Sequence, residues 1–426
     1  MRVLLVNKFH YRKGGAETYY FTIGHELERM GHDVAYFSMK HPQNVPCAQE
    51  KFFVTQREYN NVKNPYTAAR DGMALIYSRE AKRNFQALCE EFNPDVVHLN
   101  NVHRQITLSI LDAPYLKEHR VPVVYTAHDH VTVCPAYLMM DGEGNVCDRC
   151  VEDGHYRHCI EHRCVKGSRA KSALAVAEAS FYRRHGSYKK IDAVIAPSEY
   201  MKSKLVEGGW PITKVIARKN FASGEILERA KDAAGSKQEQ VSPYFLFFGR
   251  ISKEKGIDVL VEAFKAISSR IPDWRLIVAG DGPEKLALEQ DVLSSGYAGK
   301  ILFAGYQKGE ALQRLISCAA FAVSGSRCRE NMPYSVIEAF ASGTPSIGSR
   351  SGGIPELIED GVTGYLCDPG SSSSMQAALL AAADVFKSQD DYRSMQQRCR
   401  GFVIDNCDQG EYMNALIALY ERLIHG

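Results

Sequence analysis

The chain has 426 residues, of which 45% are hydrophobic and 24% are charged. That length is too great for one ordinary domain and suits two domains of about 200 residues each. The formal net charge of +2 excludes the strongly basic class of nucleic-acid-binding proteins, so we expect no nucleic-acid partner.

Apolar runs alternate with helical patterns in the first half of the chain. Buried strands are predicted at residues 3–7, 33–37, 95–100, 121–128 and 192–198, and helices at residues 16–30, 68–92 and 199–207. Strands separated by helices indicate a parallel sheet with right-handed crossovers. The first apolar run is too short for a signal peptide, and no run approaches the roughly 20 residues of a membrane span. We therefore expect a cytoplasmic protein whose cysteines are reduced or metal-bound.

Five of the twelve cysteines lie between residues 134 and 166, directly after the strand that ends at His128. Their spacing, with one Cys-x2-Cys pair followed by a second pair, is typical of a structural zinc site. The predicted ligands are Cys147, Cys150, Cys159 and Cys164. His155, His158 or His162 could replace one sulfur and Cys134 another; the alternatives are reduced thiols in a loose loop, or disulfides.

The segment from Lys166 to Lys190 contains seven Lys or Arg residues and one Glu, around apolar turns and the aromatic pair Phe181-Tyr182. A basic helix with an apolar face suits an anionic lipid surface, so we predict peripheral contact with a membrane. The alternative is a helix that packs within the first domain and has solvated ends.

The strand–helix pattern restarts after Asn220. Residues 221–242 lack an apolar period and are interpreted as the start of a linker. Strands are predicted at residues 244–249, 274–280, 300–305 and 319–323, and an amphipathic helix at residues 411–424. The sequence thus predicts an α/β protein with two doubly wound parallel sheets.

Ligands of such sheets bind at the carboxyl ends of the strands. The residues at those positions here are mostly polar or glycine: 8–15, His98, Asn100, His128 and Asp129 in the first half, and 250–256, 281–283, Gly305, Tyr306 and Glu330 in the second. Arg250 and Lys255 lie on one glycine-flanked loop. Two cations there suit a pyrophosphate group, and the alternative is a solvated lysine-rich loop.

Residues 326–366 contain the densest set of sequence features that indicate ligand binding. A helix is predicted to open near Pro333, with Asn331 as its cap, and to end before Gly343. Glu330 precedes this helix and Glu338 lies within it. Helix N-termini hold phosphate, and a carboxylate can accept both hydrogen bonds of a vicinal diol. For each glutamate alone, a solvated surface charge is the default interpretation.

The string as a whole, Glu-x7-Glu across Asn-Met-Pro, then Ala-Ser-Gly-Thr-Pro, then Gly-Gly-Ile-Pro-Glu, resembles the signature of retaining glycosyltransferases of family 4. The resemblance implies two Rossmann-like domains facing each other across a cleft, the GT-B fold. It implies an acceptor-side domain (1–222, with the Cys-rich insertion 134–166), a nucleotide-sugar-binding domain (223–408) and a C-terminal helix (409–426) packing back on the first.

The resemblance also implies roles for individual residues. The catalytic residues would be His128, Arg250, Lys255 and Glu330. The donor-binding residues would be Gly14, Gly15, Gly305, Tyr306, Asn331, Met332, Pro333, Tyr334 and Glu338. The chain departs from the family pattern at residues 218–225 and 327–329.

The implied reaction is hexosyl transfer in polysaccharide biosynthesis, from a nucleotide diphosphate sugar to a glycan or a lipid-linked saccharide. It would retain the anomeric configuration by reaction on one face and would require no cofactor or metal for catalysis. The alternatives are a sugar-nucleotide epimerase of the same architecture and a sugar-nucleotide-binding module without turnover.

Overall fold

The computed structural model describes residues 1–57, 72–232 and 243–426. It divides into two compact units. Unit 1 comprises Met1–Glu143, Cys147–Arg218 and Gly410–Gly426, and unit 2 comprises Gly144–Val146 and Lys219–Gln409. Each unit contains one six-stranded parallel sheet, which confirms the predicted pair of α/β sheets.

The sheet of unit 1 has the strand order β2-β1-β3-β4-β5-β6. Its strands are β1 Arg2–Val6, β2 Asp33–Phe37, β3 Val96–Leu99, β4 Val123–Thr126, β5 Ala193–Ala196 and β6 Val215–Ala217. The helices of this part of the chain are α1 Gly15–Arg29, α2 Arg79–Phe92, α3 Pro114–Glu118, α4 Arg149–Glu152, α5 Arg157–Glu161, α6 Arg169–His185 and α7 Glu199–Glu207. β1, β3, β4 and β5 are buried almost throughout because helices cover both faces of the sheet.

The sheet of unit 2 has the strand order β12-β11-β10-β7-β8-β9. Its strands are β7 Tyr244–Phe248, β8 Arg275–Ala279, β9 Ile301–Gly305, β10 Phe321–Ser324, β11 Ser346–Ser349 and β12 Gly364–Cys367. The helices are α8 Gly224–Asp232, α9 Ile257–Ile267, α10 Lys285–Ser294, α11 Gly309–Cys318, α12 Tyr334–Ala341, α13 Ser372–Val385 and α14 Gln389–Asn406, followed by α15 Gln409–His425. The strand order reverses between β7 and β10, which is where doubly wound sheets bind their ligands.

Helix α15 packs within unit 1 through two buried tyrosines. The Tyr412 hydroxyl lies 2.8 Å from the hydroxyl of Tyr19, and the Tyr420 hydroxyl lies 2.5 Å from Nδ1 of His98. All four side chains are buried. The last residues of the chain therefore complete the polar interior of the unit that begins with the first residue.

Two predicted elements are wrong in part. The helix predicted at residues 68–92 starts outside the described residues; its described part is helical at 72–76 and starts anew at Arg79. Ser78 breaks it because its side chain accepts the N–H of Ala81 as an N-cap. The linker predicted at residues 221–242 contains α8, which buries Leu227 and Ala230; residues 233–242 lie outside the described residues.

Three strands, β6, β11 and β12, were not predicted. β6 has only three residues, and β11 has a single large apolar side chain, Ile347, between serine and glycine. Both serines of β11 are fully buried, and Ser349 Oγ donates to the carbonyl of Ser326 at 2.7 Å. This strand is therefore buried without an apolar run, with one hydrogen-bonded serine and one core side chain, Ile347.

The basic segment contains helix α6, whose apolar face packs inside unit 1. Ala175, Ala179 and Tyr182 are buried, whereas the basic side chains of the segment are exposed. No helix in the described ranges offers a stretch of the length and apolarity that a bilayer span requires.

Candidate active site

Two loops meet at the point where the strand order of unit 2 reverses. One follows β7 and carries Lys255 at the end of a short 3₁₀ turn, Lys253–Lys255. The other follows β10, the neighbour of β7, and carries Glu330. Lys255 Nζ lies 2.5 Å from Glu330 Oε1. The structure thus brings together two of the predicted catalytic residues, 75 positions apart in sequence.

Glycines fix both loops by close backbone approach. Gly256 has φ +67°, and a Cβ at this position would lie 2.1 Å from the carbonyl oxygen of Gly325. Gly352 has φ +63°, and its Cβ would lie 2.0 Å from the carbonyl oxygen of Glu330. The N–H of Gly353 donates to that same oxygen at 2.7 Å. The loops that carry the ion pair are therefore held by close backbone contacts, which leave no room for a side chain at either glycine.

Three donors converge on one oxygen of Glu330. Lys255 Nζ, Ser326 Oγ at 2.8 Å and Cys328 Sγ at 3.6 Å all contact Oε1. Burial by itself would raise the pKa of this carboxyl, but the charge of Lys255 and the three hydrogen bonds outweigh it, and the pKa is lowered. Burial likewise opposes the charge on Lys255, yet Glu330 raises its pKa. Both groups are ionised at neutral pH.

Helix α12 begins just after this pair. Its N-cap is Pro333, so the prediction that Asn331 caps the helix is wrong; Asn331 lies two residues earlier and is largely buried. Met332 is also buried, and its carbonyl accepts the side-chain N–H of Asn220 at 3.1 Å. The first turn of α12, starting at Tyr334, lies at the same end of the sheet as the ion pair.

Glu338 lies on the second turn of α12. Its side chain is half-buried, and burial raises the pKa of the carboxyl to about 7, against the opposing charge of Arg229 on α8. At neutral pH this group is therefore close to half ionised.

The remaining predicted residues of unit 2 lie at other strand ends. Arg250 follows β7 after Gly249 and is exposed. Gly305 ends β9 with φ +67°, and its carbonyl accepts the N–H of Gly280 at 2.7 Å. Tyr306 is 72% exposed. Because β8 separates β9 from β7, Gly305 and Tyr306 lie apart from the pair of Lys255 and Glu330.

In unit 1, His128 follows β4 and is held by an amide. Its Nε2 lies 2.8 Å from Asn100 Oδ1, while Asn100 Nδ2 donates to the carbonyl of Val6 at 3.4 Å. That second bond orients the amide, so Nε2 of His128 carries the proton and Nδ1 is the acceptor. Burial lowers the pKa of His128 to about 3, so the ring is neutral.

Gly14 and Gly15 lie at the start of α1, where Gly14 is the N-cap and both are exposed. Glu17 in the same first turn is buried and accepts the side-chain N–H of Asn7 at 3.2 Å. Burial raises the pKa of Glu17. The helix N-terminus therefore already has an acidic side chain of its own beside it.

A cluster of buried and half-buried charges beside β1 was not predicted to have a role. Burial lowers the pKa of Lys8, although Asp129 and Glu17 oppose that effect. Arg104 Nε lies 3.6 Å from Glu178 Oε2, and burial raises the pKa of Glu178 to about 7. Lys8 and Asp129 could be found because they follow strands; nothing in the sequence singles out Arg104 or Glu178.

The predicted metal ligands lie in unit 1, whereas Lys255 and Glu330 belong to unit 2. Cys147, Cys150, Cys159 and Cys164 line one small cavity together with Cys134.

Comparison with known families accounts for both units. The model described as Glycosyltransferase Family 4 matches residues 13–217, and the model described as Glycosyl transferases group 1 matches residues 228–418.

Individual relatives agree with these models. N-acetyl-alpha-D-glucosaminyl L-malate synthase of Bacillus anthracis is 30% identical over 190 residues, which is 45% of this chain and 47% of that protein. The chain thus spans about half the length of the curated relatives of this kind. A glycosyltransferase structure from Rickettsia africae ESF-5 covers 100% of this chain and 99% of its own, with a TM-score of 0.69 and 17% identity. Anabaena Alr3699/HepE in complex with UDP-glucose covers 98% of each chain, with a TM-score of 0.62 and 17% identity. At such identities the structures establish the fold, which is GT-B.

Proposed function

The chain belongs to the family 4 glycosyltransferases, and on that premise we propose that it transfers a hexosyl group from a nucleotide diphosphate sugar to a glycan or lipid-linked saccharide. The observation that carries the proposal is the ion pair of Lys255 and Glu330 at the ligand-binding end of the unit 2 sheet. The complex of a structural relative with UDP-glucose supports a donor of this class.

The two members of the pair serve different parts of the donor. The Lys255 ammonium, which has 34% of its side chain exposed, neutralises the diphosphate as the glycosidic C–O bond breaks and charge accumulates on the leaving oxygen. Arg250 on the same loop adds a second cation. Glu330 accepts hydrogen bonds from sugar hydroxyls through the oxygen that its three donors leave open.

We propose retention by reaction on one face. The acceptor oxygen bonds to the anomeric carbon as the bond to the diphosphate breaks, and the departing phosphate oxygen takes the acceptor's proton. A double displacement needs a carboxylate nucleophile. The lowered pKa of Glu330 and its three hydrogen bonds favour a binding role over a nucleophilic one. No metal is needed where fixed cations stabilise the leaving group.

His128 and Glu338 complete the proposed set. The ring of His128 is neutral and donates from Nε2 to Asn100, so it can contribute to binding of a neutral hydroxyl but not as a cation. Glu338 accepts both hydroxyls of the ribose. The backbone N–H groups at the start of α12 support sugar or phosphate binding.

The ionisation of Glu338 makes nucleotide binding depend on pH. Only the carboxylate accepts two hydroxyls, and the pKa of the group is about 7 before binding. Binding therefore releases a proton, and affinity rises with pH, by about tenfold between pH 6 and pH 8 when only the ionised form binds. Calorimetric titration of the preferred nucleoside diphosphate into wild type and Glu338→Gln measures this dependence.

The terminal phosphate of the ligand also titrates, near pH 6. The ratio of wild-type to Glu338→Gln affinity at each pH removes that contribution. An unchanged ratio from pH 6 to pH 8 contradicts the role of Glu338.

A donor and acceptor screen tests the proposed function. Thermal-shift measurements with UDP, GDP, ADP and CMP, and then with their sugars, should identify one stabilising donor. Release of its nucleotide should then depend on an added saccharide acceptor. Conversion of the bound sugar without nucleotide release supports the epimerase instead, and tight binding without turnover across an acceptor panel supports the binding module.

We also propose that the protein is cytoplasmic and contacts the inner face of the membrane through charge. The apolar face of α6 is used in packing, while its basic residues remain exposed. Contact should therefore be electrostatic and reversed by salt. Sedimentation with anionic vesicles at low ionic strength should recover the protein, and added salt should release it. Failure to sediment at low salt contradicts the membrane contact.

A further inference from the structure

Five cysteine side chains of unit 1 surround one cavity of about 10 Å³. They are Cys134, Cys147, Cys150, Cys159 and Cys164, and all are free thiols. A volume of this size holds about one water-sized probe and is ample for a single metal ion. The remaining lining includes apolar side chains such as Ala136 and Val151.

We propose that unit 1 binds a structural zinc ion through the thiolates of Cys134, Cys147, Cys150 and Cys164, and that Cys159 is a neighbour and not a ligand. Four thiolates around zinc are a common structural site, and such a site takes no part in catalysis. The proposal replaces Cys159 of the predicted ligand set with Cys134.

Backbone N–H groups point at the sulfurs of this four-cysteine set. The N–H groups of Ala136 and Met139 donate to Cys134, and the N–H of Arg149 donates to Cys147. The N–H groups of Cys159 and Gly142 lie beside the sulfurs of Cys150 and Cys164, while their carbonyl acceptors are Tyr156 and His162. Donors aimed at sulfur stabilise a thiolate, and ligands of a metal are oriented by such hydrogen bonds.

The thiols of the set also interact with one another electrostatically: Cys134 with Cys147, Cys150 and Cys164, Cys147 with Cys150 and Cys164, and Cys150 with Cys164. Cys159 interacts in the same way with Cys134, Cys150 and Cys164, so these interactions place all five thiols in one cluster and do not by themselves select the ligands. Cys159, on helix α5, however donates its S–H to the sulfur of Cys164. It is 1% exposed, whereas Cys134 is 8% exposed.

The nearby histidines are engaged elsewhere. Nε2 of His158 lies 2.6 Å from Asp153 Oδ2, and its Nδ1 lies 3.4 Å from Glu161 Oε2. The ring of His162 contacts the guanidinium of Arg149, which disfavours a second cation there. His155 is exposed. The sulfurs therefore remain the best ligands in this part of the chain.

Short helices and strained backbone do not by themselves fix the conformation of the Cys-rich insertion, residues 134–166. Helices α4 and α5 have only four and five residues, and Tyr137, Met139 and Arg163 have positive φ. Such backbone is costly and persists only where its surroundings fix it. A zinc ion bound by the four-cysteine set would tie the loop after β4, which starts near His128, to the residues preceding α6.

Elemental analysis of protein purified without chelator tests the site. Wild type should contain one zinc per chain. Cys134→Ser and Cys150→Ser should lose it and melt at lower temperature, whereas the matched variant Cys159→Ser should keep one zinc. Replacement of zinc by cobalt(II) should give the visible bands of a tetrahedral ion and a thiolate-to-cobalt charge-transfer band.

Each other outcome overturns the proposal. Zinc-free wild type whose five thiols titrate freely in the native state excludes the metal. Loss of zinc from Cys159→Ser with retention in Cys134→Ser excludes this ligand set and favours the one predicted from sequence. Should Cys134→Ser fail to fold, the zinc content of Cys159→Ser decides alone.

Discussion

Lys255→Ala should lower the rate of sugar transfer by about a hundredfold or more, because one stabiliser of developing charge is worth about 3–4 kcal/mol in the transition state. The ammonium lies 2.5 Å from Glu330, and only the side chain beyond Cβ is removed. Glu330→Ala should have an effect of similar size, since the same ion pair positions both groups. Each variant should remain folded, with a lowered melting temperature, because removal of one partner leaves the other charge partly buried without compensation.

Lys253→Ala is the matched control for this prediction. Lys253 lies on the same 3₁₀ turn but is exposed, so its loss should leave the rate within a few-fold of wild type. The double variant Lys255→Ala/Glu330→Ala should lose little more than either single variant, because paired residues act as a unit. Steady-state kinetics with the identified donor measure these rates. Near wild-type rates for both single variants would remove the site assignment.

Gly352→Ala should destabilise the protein by about 2–4 kcal/mol and reduce activity as well. A Cβ at φ +63° is strained, and it would lie 2.0 Å from the carbonyl oxygen of Glu330. The backbone that carries the carboxylate must then move away from Lys255. A loss of this size corresponds to a fall in melting temperature of about 10 °C for a unit of this length.

Gly361→Ala is a control that separates the cost of backbone strain from the cost of the close contact at Gly352. Gly361 has φ +76° and open space where Cβ would stand, so its replacement should cost only about 1 kcal/mol and leave activity unchanged. Thermal unfolding and transfer rates of the two variants provide the comparison. Equal effects of the two substitutions would show that the close approach of Gly352 to Glu330 has no role.

The sequence was sufficient to predict the strands and helices that have strong apolar periodicity. The boundaries of β2 and α7 agree with the predicted ones, and most of the other predicted strands are present with ends shifted by one or two residues. Strand β11 could not be found in this way because two buried serines, of which Ser349 is hydrogen-bonded through its hydroxyl, replace apolar residues in it. A local cap at Ser78 also overrode the continuous helical pattern through residues 68–92.

For the candidate site, strand ends and the Glu-x7-Glu string were enough to select Lys255 and Glu330. Their pairing depends on the adjacency of β7 and β10, which are far apart in sequence. Ser326 and Cys328 were not predicted as site residues. A hydroxyl and a thiol have no such role until the fold brings a carboxylate into contact with them. The pair of half-buried Arg104 and buried Glu178 likewise has no local sequence signal.

The packing of α15 in unit 1 has a consequence for synthesis of the chain on the ribosome. When residue 218 has left the exit tunnel, all six strands of the first sheet exist, but Tyr412 and Tyr420 have not yet been translated. Until then Tyr19 and His98 lack these hydroxyl partners, and the surface that α15 later covers is open to solvent or to a chaperone. The unit translated first is therefore the one that reaches its final form last.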